Sequence, residues 1–178
     1  MFHSNTELLI DYWRARRGEA RLPPRAGIDP ADFAALLPQT FIASREAPGV
    51  YPLRLAGERI IDLHGRSLRG ENVVNLWTRA HRIELQTALE GALREPSPLV
   101  VSAEGRNDEG EALRLEVLFA PIAGASGKAD RFLGLYQPTS TLRLQRRPIR
   151  ELMIRAVGGA DIAPPRLRLA ALDGRRIA

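Results

Sequence analysis

The chain has 178 residues, with 26 Lys or Arg against 21 Asp or Glu, a formal charge of +5. It contains no cysteine, which excludes disulfide frameworks, iron–sulfur clusters, thiolate zinc sites and cysteine nucleophiles. With 44% hydrophobic residues it is too apolar for a disordered chain, and its length suits one domain plus an extension.

Thr6 to Arg17 reads as a short helix, with Leu8, Leu9, Tyr12 and Trp13 at helical spacing and Gly18 as the stop. No apolar run approaches the ~20 residues that cross a bilayer. Glu7 and Asp11 interrupt the N-terminal apolar stretch, unlike a secretory signal. The expectation is a cytoplasmic protein with no transmembrane segment. Asp29 and Pro30 then cap and open a helix that runs to Leu37, ahead of Pro38.

Gln39 to Arg45 and Tyr51 to Ala56 read as strands joined by a turn at Glu46 to Gly49. Pro52 cannot donate to a ladder, so the second strand lies at an edge or begins there. Glu58 to His64 forms a short helix closed by Gly65, and Arg66 to Trp77 a set of short turns. Arg79 to Arg94 has the clearest apolar stripe, from Ile83 through Leu85 and Leu89 to Leu93. Three strand-like runs follow, Leu99 to Glu104, Ala112 to Pro121 and Arg131 to Pro138. In the middle run Leu113, Leu115, Val117 and Phe119 face one way, Arg114 and Glu116 the other. This order predicts an α+β fold: a five-stranded antiparallel sheet covered on one face by short helices.

Charge divides unevenly. From Thr141 to Ala178 nine Arg stand against three acids, a net +6, so the preceding body is close to neutral. Ile149, Leu152, Met153, Ala156 and Val157 occupy helical positions, with Arg on the remaining surface. This predicts a basic amphipathic helix that docks on its own domain, a second subunit or a partner. Arg166 to Leu169 alternates and would suit an added edge strand. The extension lacks aromatics interleaved with its Arg, which argues against nucleic acid as its partner.

No catalytic constellation is visible. His3, His64 and His81 lie far apart, and no metal-ligand spacing is present. Gly124-Ala125-Ser126-Gly127-Lys128 satisfies neither a nucleophile elbow nor a P-loop and suits a hairpin loop. The protein is expected not to be an enzyme and to hold no metal.

The element order resembles a PAS domain. Tyr12-Trp13, Pro24-Arg25, Ile28-Asp29-Pro30, Leu36-Leu37-Pro38 and Tyr51 through Gly57 are similar to a bacterial family of stand-alone PAS proteins. So are Gly65 through Gly70, Leu76-Trp77, Glu116, Pro121 and Leu133-Gly134. Glu58 departs from the small hydroxyl residue usual there. The resemblance divides the chain into residues 1–20 (a helix for dimerisation), 21–140 (the PAS-like domain) and 141–178 (the basic extension). It implies a signalling module that forms a homodimer and regulates a signalling or regulatory protein by contact, gated by a small ligand. Two alternatives stand beside it: a metabolite-sensing protein, and a nucleic-acid accessory acting through the Arg-rich extension.

In such a fold Arg54, His64, Leu68, Leu76, Trp77 and Phe119 are candidate ligand-binding residues. Each also has a structural reading: Trp77 as core, His64 as a helix-end residue, Arg54 on a solvated sheet face. The candidate dimer or partner residues are Leu8, Leu9, Tyr12, Trp13, Ile149, Leu152 and Met153. The cofactor is open, with haem disfavoured, and cysteinyl-flavin photochemistry is excluded because the chain has no Cys.

Overall fold

The computed structural model describes residues 1–140 and 147–159. Its first element, α1 (Ser4–Arg17), is capped by His3, whose side chain accepts from the Asn5 N–H at 3.2 Å. Gly18, at φ 54°, ends it. The run Pro30–Gln39 begins where expected, with the Asp29 carboxylate accepting from the Ala31 N–H at 2.9 Å. It is 3₁₀ rather than α, and it breaks helical geometry at Phe33, whose ring meets Tyr12 edge-on at 5.2 Å.

The remaining elements are β1 (Thr40–Ser44), β2 (Leu53–Ala56), α2 (Glu58–His64), 3₁₀ turns at Val73–Leu76 and Arg79–His81, and α3 (Arg82–Arg94). Then come β3 (Leu99–Arg106), β4 (Ala112–Ala123), β5 (Ala129–Pro138) and β6 (Glu151–Gly159). The strands form one antiparallel sheet in the order β2-β1-β5-β4-β3-β6.

Three expectations are corrected. The sheet has six strands, not five. The stretch read as an amphipathic helix is β6, paired with β3 from Leu99↔Gly159 to Arg106↔Glu151. A ten-residue helix is marginal alone. Left as an edge, β3 would expose a row of unpaired backbone groups beside buried Val101 and Ala103. Pairing satisfies those groups and buries Leu152 and Ile154.

Helices also cover both faces of the sheet, not one. α2, α3 and the turns between them pack on the face carrying Leu113, Leu115, Val117 and Phe119. The second half of β4 is apolar on its other face too, and α1 lies there: Leu9, Ile10 and Trp13 meet Leu118, Ala120 and Ile122. The Trp13 Nε1–H donates to the Pro121 carbonyl at 2.5 Å, so this contact is polar as well as apolar.

The chain reaching β6 is strapped to the domain. The Ile149 N–H donates to the Leu63 carbonyl at 2.7 Å and the Arg150 N–H to the Arg106 carbonyl at 2.8 Å. Gly65 ends α2 at φ 63°, and a Cβ there would stand 2.8 Å from Pro148, so conformation and packing both select glycine. Three Arg of the basic extension face carboxylates: Arg147 on Glu109 (3.1 Å), Arg150 on Asp108 (2.7 Å) and Arg155 on Glu104 (2.7 Å). The strand expected at Arg166 to Leu169 lies outside the described residues.

Candidate functional site

β5 turns Phe132, Gly134 and Tyr136 towards α2 and α3. The missing side chain at Gly134 is filled by the Phe41 ring, which would overlap any Cβ there. From this a line of edge-packed rings follows. His64 meets Tyr136 (5.9 Å between centroids), Tyr136 meets Phe41 (5.8 Å), Phe41 meets Phe119 (5.4 Å) and Phe119 meets Phe132 (5.7 Å). Such pairs contribute about 0.5–1.5 kcal/mol each beyond their burial.

These rings fill the layer between sheet and helices. Leu68, Leu76, Trp77 and Phe119 are fully buried within that packing and wall no part of the cleft described below. A flat tricyclic cofactor in this layer would need the space the rings occupy, so the residues present do not fit a flavin there. Arg54 stands on the exposed side of β2, opposite buried Leu53. It donates to Ser44 Oγ at 2.6 Å and pairs with Glu46.

The candidate dimer residues also divide. Leu9, Trp13, Ile149 and Leu152 are buried in the chain's own core. Their apolar stripes found partners within the chain: the sheet's second face for α1, and β3 with α2 for residues 149–152. Leu8 is exposed, and Tyr12 and Met153 are half-buried.

A cleft of about 480 Å³ opens where α2, the end of β5 and the strap meet. Ile60, Leu63, Tyr136, Pro138 and Pro148 give it apolar walls. Gln39, Arg59, Asp62 and Arg147 bring polar groups to it. Its size falls within the range of small-molecule sites, roughly 300–1,000 Å³.

Tyr136 is the notable member. Its hydroxyl is buried and has no hydrogen-bond partner among the described residues. Burial raises its pKa, so it stays a neutral O–H donor. Beside it, His64 is buried, its Nε2 without a partner among the described residues, while its ring hydrogen-bonds the Ile149 backbone. Burial first, and the nearby Arg66 charge second, lower the His64 pKa to about 4, so this imidazole is neutral at pH 7. His64 itself does not line the cleft. Among the described residues no group of His, Cys, Asp and Glu could hold a metal ion.

The cleft communicates with α1 through side chains. Gln39, on its rim, donates through Nε2 to Gln137 Oε1 at 3.2 Å. Asn5, in the first turn of α1, donates to the same oxygen at 2.9 Å. The backbone N–H of His3 reaches both Glu116 oxygens, at 3.1 and 3.0 Å.

Sequence reasoning missed Gln39, Arg59, Asp62, Tyr136 and Arg147. Tyr136 carried the one usable signal: it is a hydroxyl on the same strand face as apolar Phe132 and Pro138.

The fold is shared with solved structures. A LOV domain studied with a flavin analogue superposes with a TM-score of 0.50 at 15% identity, over 62% of this chain and 84% of that one. A LOV protein of Rhodobacter sphaeroides gives a TM-score of 0.49 at 17% identity, over 65% and 71%. No curated protein matches the chain. The sequence pattern of the PAS domain matches residues 1–137, from α1 to β5, with β6 beyond it. On that match over most of its length, the chain belongs to the PAS domain family.

Proposed function

We propose that this PAS protein is a non-enzymatic signalling module that regulates a partner protein by contact, and that a small molecule in the α2–β5 cleft sets its state. The observation that carries the reading is the make-up of that cleft. It is walled by the PAS layer on one side and by Arg147 and Pro148 on the other, and those two residues lead directly into β6. An occupant would therefore touch both the PAS layer and the segment that leads into β6.

Self-association belongs to the same reading. With Leu9 and Trp13 spent inside the chain, a dimer through α1 would use its outer side, where Leu8 is half exposed. Among the described residues no helix is long and apolar enough to cross a membrane. The nucleic-acid alternative gains nothing from the described part of the extension, because no aromatic side chain stands among Arg147, Arg150 and Arg155 to stack a base.

Native mass spectrometry of protein purified from its own source, paired with a denatured mass, tests the proposal. A dimer carrying a reproducible small-molecule excess supports it, and affinity capture with wild type and Leu63→Trp then asks whether filling the cleft changes the captured partner. A monomer with no excess and no partner sensitive to Leu63→Trp overturns it.

A further inference from the structure

The cleft is chemically asymmetric. Ile60, Leu63 and Pro148 form its apolar side, and two guanidiniums, Arg59 and Arg147, stand on it against one carboxylate, Asp62. Arg59 is exposed and has no ion-pair partner among the described residues. Arg147 contacts Glu109 through Nε at 3.1 Å. A guanidinium carries five donors in a planar fork, more than one carboxylate contact uses. Tyr136 also lines the cleft, and its buried hydroxyl has no hydrogen-bond partner among the described residues.

We propose that the cleft binds a small amphipathic carboxylate, its anionic head held by Arg59 and Arg147 and its apolar body on Ile60, Leu63 and Pro148. This rests on the sensor reading and deepens it by naming the ligand class. Two guanidiniums favour a planar anion that can accept two parallel hydrogen bonds. Asp62 beside them disfavours a doubly charged head such as a phosphate monoester, because the second charge would face a carboxylate. The apolar walls, away from the charged rim, require a hydrocarbon or aromatic body rather than a sugar. Because Arg147 and Pro148 precede β6 directly, a bound carboxylate would add a tie between α2 and the strap.

Octanoate is the probe, with octylamine and 1-octanol as isosteric controls. Isothermal titration on the full chain should show saturable one-to-one binding of octanoate, weaker binding of octanol and none of octylamine. Arg59→Gln and Arg147→Gln should each weaken octanoate about tenfold, the loss expected for one charge-assisted hydrogen-bond pair, and leave octanol unchanged. Both side chains are exposed, so their substitution leaves the fold intact, checked by circular dichroism. Leu63→Trp should abolish binding of both. Absence of saturable octanoate binding overturns the proposal. So does octanoate binding that survives both Arg substitutions, or octylamine binding as tight as octanoate. If a neutral or cationic molecule copurifies and Leu63→Trp expels it, the ligand class falls while the sensor reading stands. If nothing binds and no partner responds to Leu63→Trp, both fall.

Discussion

Ile154 separates the strand from the helix that the sequence pattern suggested. On a helix, the apolar stripe would be Ile149, Leu152, Met153, Ala156 and Val157, and Ile154 would point away from it. In β6 the order is different. Ile154 is 8% exposed and pairs with Ala103, while Val157 is 37% exposed near the strand's end. Truncating a buried Ile to Ala costs about 2–5 kcal/mol, and nearly complete burial places Ile154→Ala near 3 kcal/mol. For a chain of this size each kcal/mol lowers Tm by about 2–4 °C, so the expected fall is about 6–12 °C. Val157→Ala should cost well under half of that, because it removes fewer atoms from a partly wetted site. Calorimetry measures both Tm values, and urea titration should show a lower midpoint at an unchanged m-value. A stable Ile154→Ala beside a strongly destabilised Val157→Ala would refute the docking of β6 on β3.

Three further outcomes are expected. Gly134→Ala should destabilise severely, by more than about 2 kcal/mol, because the new Cβ would overlap the Phe41 ring in a packed core; a Tm within a degree or two of wild type would contradict that packing. Tyr136→Phe should raise stability by about 1 kcal/mol in ligand-free protein, since it removes a buried hydroxyl with no partner; a loss by urea titration would mean the hydroxyl is satisfied. His64 should make stability fall as pH drops from its ordinary 6.5 to about 4. Over that window the unfolded chain binds a proton that the folded chain refuses, worth about 3 kcal/mol in full. His64→Leu should flatten the slope between pH 6.5 and 4, and equal slopes for both proteins would refute it.

Elements governed by local signals were legible in the sequence. Asp29-Pro30 set a helical start, Gly65 set a stop, and the stripe Leu85, Leu89, Leu93 located α3 almost to the residue. β4 was legible because one face alternates over Leu113, Leu115, Val117 and Phe119. Its other face was equally informative: Leu118, Ala120 and Ile122 announced a second covering layer, but nothing nearby said that α1 would supply it. β6 failed for a similar reason. Ile149 to Val157 fits both periods, and the choice was made by an edge some fifty residues earlier, at Leu99 to Arg106. The family resemblance supplied topology, and its candidate ligand residues, Arg54 apart, were inward-facing side chains. Here those are the filling of the layer, whereas the cleft is built from Gln39, Arg59, Leu63, Tyr136 and Pro148, segments that only the tertiary fold brings together.

The position of α1 has a consequence for how the chain is made. Leu9, Ile10 and Trp13 leave the ribosome well ahead of their docking surface, because Leu118, Ala120, Ile122 and Leu133 are translated more than a hundred residues later. At roughly 5–20 residues per second the helix waits several seconds with its apolar face uncovered. Glu7, Asp11, Arg14 and Arg16 on the same helix keep that nascent segment charged during the wait. Newly synthesised chains are therefore most prone to cross-association before β5 is complete, and a holding factor acting on the nascent chain would find its binding site on α1.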